Sequence, residues 1–445
     1  MTNTVGRHRL GHDLLEIGSG VMDRFVPKEP ETVDADYSDG YPFARKVHQD
    51  GLVQIPLHGE TRIALCAKSG QGKTVIAEDG ISRALDDDYK LSHGSDVNND
   101  INSISKHGGV SQEMVDLLGL LPGEEPTEFP RRVMVPEFMF EKYRSERIHW
   151  GERFTLGFRD ITERDLKFLL GFDGWRSEAQ QDLMDDVLTE IDMDTVGFTS
   201  LFETIDRIAE KNSDDERTVR KVKRRLQALK DKKILSNTMR KDPFTDFEDG
   251  SAVSLCLYHF DKVEERRYRF YSAITHRNLI EKLRNGEITG NLILFEDEFH
   301  YLAPDGEESI VKDEFQKILN LTGRRANVST IISTQQPSQL PYPGSDDEYD
   351  FFSPCNHYFL GRGLSWKDYH AVLKGTGLWH QGFVDRWKKR FSELKDKQFI
   401  YINDDVHETP EECPVVEAIA PLFHHGSYSE RKPANPSEGP SASPA

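Results

Sequence analysis

Long apolar runs are missing from this chain: none approaches the roughly eighteen residues that a membrane-spanning helix needs, so no span is expected. The first twenty residues, MTNTVGRHRLGHDLLEIGSG, lack the basic-then-apolar order of a signal peptide, and the expected location is the cytoplasm. Cysteine is scarce. Cys66, Cys256, Cys355 and Cys413 show no paired spacing for zinc or disulfides, and three of them sit in or beside apolar strand-like runs, as buried reduced thiols do. Positive charge is outweighed, with 57 Lys and Arg against 77 Asp and Glu and a net charge of −20. That balance excludes a protein that coats nucleic acid over its whole surface, but it leaves room for a local basic strip. The histidines are scattered without metal-ligand spacing, and no internal repeat is present.

What the chain does have is material for a core: 36% hydrophobic and 10% aromatic residues in 445, enough for two or three folded units. Residues 1–50 are rich in turn-formers and are expected to be a loosely structured arm. Strands are expected at 52–57 and 62–66, the second running straight into a helix that begins near Val75. Residues 86–109 are rich in Asp, Asn, Ser and Gly and are expected to form a solvent-exposed insertion. From 161 to 235 apolar residues recur three or four apart, the helical period. A buried strand is expected at 253–260. A helix over 271–284 precedes a strand at 291–295, and one over 310–321 precedes a strand at 328–333. Strand alternating with helix implies an α/β fold with a parallel sheet, which shorter strands at 357–360 and 398–402 would complete. The expected division is therefore an arm (1–50), a core (51–85 and 250–424), an insertion (86–249, mainly helical from 161) and a low-complexity, disordered tail (425–445).

Three constellations carry chemistry. The first is AKSGQGKT at 67–74, a strand-to-helix turn of the form GxxxxGK[ST] with Ala67 in place of the first glycine. Such a P-loop aims successive backbone N–H groups at phosphates and sets them at a helix N-terminus. Gly70 and Gly72 allow the close approach that a Cβ would block. Lys68, Ser69, Gly70, Gln71, Gly72, Lys73, Thr74 and Val75 form the expected nucleotide cradle, in which Lys73 reaches the β and γ phosphates of ATP and the Thr74 hydroxyl binds Mg²⁺. The second is the apolar run 292–295 followed by Glu296, Asp297 and Glu298, then Phe299 and His300. Paired acids at the carboxyl end of a buried strand face a P-loop, so Asp297 is expected to hold the Mg²⁺ shell and Glu298 to polarise the attacking water. Strand alternation puts Glu296 and Glu298 on one face and Asp297 on the other, which leaves the metal-holding acid open by one position. The third is TGRRANVSTIISTQQPSQLP, a strand that delivers Thr334, Gln335 and Gln336 to the same edge. Gln335 could read the γ-phosphate or orient water, and Arg324 or Arg325 precedes the strand as either a structural cation or a catalytic one.

In that order, AKSGQGKT, LILFEDEFHYLAP and GRRANVSTIISTQQPSQLP resemble the HerA/FtsK group of ring-forming DNA-pumping ATPases, HerA more closely. The segment CNHYFLGRGLSWKDYHAVL is similar to the stretch that follows in that group, a strand ending in Arg and then an acidic residue opening a helix. The resemblance covers about residues 52–82 and 250–420. It implies a RecA-like P-loop NTPase core with a helical insertion. It implies Lys73, Thr74, Asp297 and Glu298 as catalytic groups, Gln335 as γ-phosphate sensor, and Arg324, Arg325 or Arg362 as a finger offered to the neighbouring subunit. It also implies a homo-oligomeric ring, a hexamer, on double-stranded DNA. The chain departs from the group at Ala67, and it has scant room before the P-loop for the group's N-terminal β-barrel.

The stretch 217–233 has two readings. Val222, Leu226 and Leu229 make one stripe, while Arg220, Lys221, Lys223, Arg224 and Arg225 occupy the other faces; these cations either solvate the helix or contact DNA phosphates. His300 reads as a supporting residue rather than a metal ligand. The alternatives to a DNA translocase are a viral or plasmid packaging or transfer motor, with a nuclease or capsid partner distinguishing the settings, a nucleotide switch or scaffold in a defence complex, and a protein-remodelling ATPase.

Overall fold

The computed structural model describes residues 8–9, 31–32, 40–96, 127, 129–145, 151–172, 177–237, 241–256, 265–320 and 327–419. Its frame is a 12-stranded sheet. In chain order the strands are β1 (Tyr41–Lys46), β2 (Leu52–Ile55), β3 (Arg62–Cys66), β4 (Lys90–Asp96), β5 (Arg131–Pro136), β6 (Glu152–Phe154), β7 (Ala252–Cys256), β8 (Asn291–Glu296), β9 (Asn327–Thr334), β10 (His357–Gly361), β11 (Gln398–Asn403) and β12 (Val415–Glu417). Across the sheet they run β2-β1-β12-β11-β10-β3-β9-β8-β4-β7-β5-β6. From β10 to β6 every pairing is parallel. From β10 to β2 every pairing is antiparallel.

The central strands are short apolar runs because both faces are covered, as parallel sheets require. Alternation divides each run between two cores. Ile63, Leu65, Ile293, Phe295 and Ile331 face the helix α1 (Lys73–Asp86) together with Phe43 of β1. Ala64, Cys66, Leu292, Leu294 and Ile332 face the opposite side, which carries α7 (Glu265–Asn285) and α8 (Ile310–Leu319). On the first side Gly80 of α1 is fixed by packing, since a Cβ there would lie 2.1 Å from the Phe43 ring.

Two expectations need correction. Residues 41–46 belong to the sheet rather than to a loose arm, because Tyr41, Phe43 and Ala44 bury against α1 and β2. The stretch expected to be a solvent-exposed insertion from 86 supplies β4, which lies near the middle of the sheet between β8 and β7. β4 is almost without apolar residues (KLSHGSD), and partners replace them: Lys90 donates to the Thr289 carbonyl at 3.0 Å and pairs with Asp249, and His93 stacks on Phe295 at 4.9 Å. Residues 131–136 and 152–154 extend the sheet beyond it.

After α2 (Glu137–Ser145), the region expected to be helical forms α3 (Glu163–Leu170), α4 (Glu178–Glu190), α5 (Phe198–Asn212) and α6 (Glu216–Asp231), packed through Leu166, Leu183, Leu201, Ile205 and Leu226. The start of α3 is set by a capping box: Asp165 N donates to Thr162 Oγ1 at 3.3 Å, and Thr162 N donates to Asp165 Oδ2 at 2.7 Å. Such a cap contributes about 1 kcal/mol. Gly171, at φ 65°, ends the helix in the left-handed region. Arg277 of α7 then clamps this helical unit to the sheet. It donates to Asp165 Oδ1 at 3.0 Å and to Glu314 of α8 at 2.8 Å.

All four cysteines are buried and none is in a disulfide, and no described helix is long and apolar enough to cross a membrane. Arg324 and Arg325, residues 257–260 of the expected strand and the tail from 420 lie outside the described residues.

Candidate active site

The P-loop joins the carboxyl end of β3 to α1. Gly70 (φ 76°) and Gly72 (φ 92°) both turn through the left-handed region, and a Cβ at either would point into open space. Ala67 does not need that freedom, since it is absent from the described non-glycine residues with positive φ. It is buried in the α1 core. Its Cβ sits against Gly361 at the end of β10, where another Cβ would come within 2.4 Å. The substitution at the first P-loop position is thus accommodated on the sheet side. Gly72 caps α1 without a side-chain hydrogen bond, and the first turn contains no acid, so the helix N-terminus presents its N–H groups to an anion. Gln71 is held by the loop before β11, its Oε1 accepting from Lys397 N at 3.0 Å.

β8 ends at Glu296, and the acids that follow leave strand geometry. Asp297 Oδ1 accepts from Glu298 N at 3.0 Å, and Glu298 takes φ 48°, the left-handed region. This turn ends the alternation expected for the three acids. Glu296 points to the α7 side, whereas Glu298 swings under the P-loop. Its Oε1 lies 3.8 Å from Lys73 Nζ, with both side chains buried. Gln335, just past β9, grips the same carboxylate: its backbone N donates to Oε2 at 3.3 Å, and its Nε2 donates to Oε1. His300 Nδ1 lies 3.5 Å from Oε2 and 3.0 Å from Thr334 Oγ1.

The electrostatics follow from burial. Burial and the Asp297 charge push the Glu298 carboxyl up to about 7, although Lys73 and the hydrogen bonds from Gln335 pull the other way. Burial, helped by Lys73, lowers His300 to about 4, so near pH 7 its imidazole is neutral and adds no charge.

The sheet therefore brings Lys73, Asp297, Glu298, His300, Thr334 and Gln335 to one edge, beside Thr74 at the start of α1. Arg362 follows β10 at that edge, since Leu360 pairs with Cys66, and it is exposed and bound to Asp396 at 2.6 Å. Sequence reasoning missed two contributors: His276 and Gly94, which flank Glu296, left no signal. Asp368, the acidic residue that opens the helix after Arg362, forms a capping box with Ser365; it also accepts from Ser338 Oγ at 2.7 Å, fastening the TQQPSQL segment to the helix Trp366–Gly375.

A parallel sheet whose P-loop strand lies one strand away from the acid strand, with α1 packed over it, defines the RecA-like P-loop NTPase fold. No protein-family model matches the chain, and comparison with curated proteins finds no match. Among solved structures it is similar to VirB4 of Thermoanaerobacter pseudethanolicus, with a TM-score of 0.53 and 12% identity over 86% of this chain and 97% of that one. At that identity the likeness shows the fold alone. Two further matches are the bacterial conjugative coupling protein TrwB (TM-score 0.49, 11% identity, 86% and 89% covered) and the genome packaging NTPase B204 from Sulfolobus turreted icosahedral virus 2 (TM-score 0.32, 7% identity, 81% and 99% covered).

Proposed function

We propose that the chain is a Mg²⁺-dependent ATPase that assembles into a hexameric ring and moves double-stranded DNA. The observation that carries the ATPase reading is the convergence of Lys73, Glu298 and Gln335 beneath an uncapped helix N-terminus. The residues fit the nucleotide: the two left-handed glycines leave space where phosphates would lie, and the helix start they lead into has no side-chain cap and no acid in its first turn among the described residues. Thr74 and Asp297 would hold Mg²⁺, which supplies charge neutralisation to the phosphate oxygens.

The chain's own groups then divide the work. An arriving phosphate draws Lys73 away from Glu298. Glu298, its carboxyl near 7, is matched to accept a proton from the attacking water. Gln335 orients that water or reads the γ-phosphate through the contact that now engages Glu298. Neutral His300, held by Thr334, backs the carboxylate. Lys73 is the one cation within reach of Glu298 among the described residues. Developing charge on the transferred group calls for more. Arg362, exposed on the same edge, can serve a neighbouring subunit; Arg324 and Arg325 are the other candidates. The DNA-moving ring is supported by the order of the three sequence motifs.

ATP hydrolysis by ring-sized material, with and without duplex DNA, tests this reading. Stimulation by DNA is expected. Stimulation by protein alone would make it a remodelling enzyme, and nucleotide binding without turnover would make it a switch. For the shared site, Arg362→Ala should bind ATP but hydrolyse it slowly, and mixing it with Lys73→Ala subunits should restore part of the activity. A fully active monomer would reject the ring.

A further inference from the structure

We propose that His276 is a positioning residue for the acid strand: held against Glu296, it fixes the end of β8 from which Asp297 and Glu298 project. The inference rests on reading that edge as the hydrolytic site. Alternation sends Leu292, Leu294 and then Glu296 to the α7 side of the sheet. The last of these positions is as buried as its apolar predecessors, yet it carries a carboxylate. His276 of α7 answers it, with Nε2 2.6 Å from Glu296 Oε1 and the two side chains 1% and 0% exposed.

The surroundings are shaped to this contact. β4 passes with Gly94, where a Cβ would lie 1.7 Å from Glu296 Oε1 and 2.6 Å from His276 Nε2. The next residue of α7, Arg277, anchors the helix to Asp165 and Glu314, so the imidazole is presented from a fixed support. The other ring nitrogen, Nδ1, has no hydrogen-bond partner among the described residues.

Two apolar side chains would fill the same volume without desolvating polar groups, so stability alone does not account for the pair. Direction does. A hydrogen bond fixes orientation where apolar contact leaves it free, and here it is applied to the last residue before the strand breaks. With Glu296 held, the following peptide turns Asp297 to the other side of the chain, and Glu298 enters its left-handed turn toward Lys73. Polar partners behind a reacting or metal-holding group commonly tune activity or metal affinity in this way.

Turnover and binding of fluorescent ADP are measured for the full chain and three variants. Glu296→Gln keeps a hydrogen-bonding side chain opposite the imidazole, and His276→Phe removes its nitrogens. The double variant His276→Leu/Glu296→Met removes both polar groups, so its folding does not depend on tolerating an unpaired buried carboxylate. Glu296→Gln should remain close to wild type, whereas the other two should lose about tenfold in kcat with unchanged Mg²⁺-free ADP affinity. Wild-type turnover in the double variant overturns the proposal. So does a fall in Mg²⁺-free ADP affinity in step with turnover, the mark of a merely structural pair. Glu296→Gln as inactive as Glu298→Gln overturns it too, because Glu296 would then itself be a reacting acid. If the wild-type chain hydrolyses nothing, the reading of the edge fails separately. Positioning is then read from the gain in ADP affinity on adding Mg²⁺: the double variant should lose about tenfold of it, and an unchanged gain rejects the proposal.

Discussion

The nucleotide edge of the sheet and the helical unit of residues 163–231 use the same charged residue types in opposite ways. At the edge, Lys73, Glu296, Asp297 and Glu298 are all at most 5% exposed. In the helical unit, Arg217, Arg220, Lys221, Arg224, Glu203 and Glu210 are exposed, and the pairs that form, such as Lys223–Asp206 at 2.5 Å, lie on its surface. Exposed pairs contribute about 0–1 kcal/mol each, whereas a buried ion costs several kcal/mol unless partnered. Burial of charge, not its amount, separates these two regions in a chain that is 30% charged. Asp165 is the exception within the helical unit: fully buried, it belongs to the joint with Arg277.

The largest expected effect is at the edge. Glu298→Gln should bind ATP yet turn it over about 10²–10⁴-fold more slowly, the usual cost of losing a general base. Wild-type turnover in that variant would break the contrast by making a buried carboxylate idle. A general base works deprotonated, so with the Glu298 carboxyl raised to about 7 the proposed mechanism expects wild-type turnover to climb as pH passes through that value from below. An intermediate effect is expected at the joint. Arg277→Met leaves the buried Asp165 without its cation, with only the Thr162 hydrogen bonds to hold it, and should lower stability by about 3 kcal/mol, measured by denaturant unfolding. A change within experimental scatter would return Arg277 to the class of surface cations. The smallest effect belongs to the helix surface. Lys221→Gln with Arg224→Gln should leave folding unaltered and, if α6 touches DNA, weaken binding equally on all sequences while flattening its salt dependence. Arg225 is excluded from this set because it donates to the Leu170 and Gly171 carbonyls at 2.7 and 2.6 Å and so holds the end of α3. An unchanged salt slope would leave α6 as a solvated face.

Legibility in the sequence followed the same division. The strands 62–66, 291–296, 327–334, 357–361 and 398–403 were visible because apolar residues stand on both their faces, and the P-loop because its glycines have fixed spacing. β4 was hidden because side chains elsewhere in the chain accommodate its polar residues: Asp249 pairs with Lys90, and the Phe295 ring stacks on His93. Period-two patterning cannot register partners that lie more than a hundred residues away. β6 was too short to register. The separation of Glu296 from Glu298 was beyond alternation, since it depends on a left-handed turn at Glu298, a residue that rarely adopts one.

The order of strands in the sheet also sets when the site can exist during synthesis. β3, which leads into the P-loop, is flanked by β9 and β10, and Ile63 pairs with Ile331 on one side and His357 on the other. β4 likewise pairs with β8, Ser92 against Leu294. No neighbour of the P-loop strand is made until synthesis has passed residue 327. Closing contacts of such long sequence separation is intrinsically slow. A nascent chain lacking both β9 and β10 has its P-loop residues but no sheet on either side to hold them, so nucleotide binding has to wait for strands made long after the loop itself.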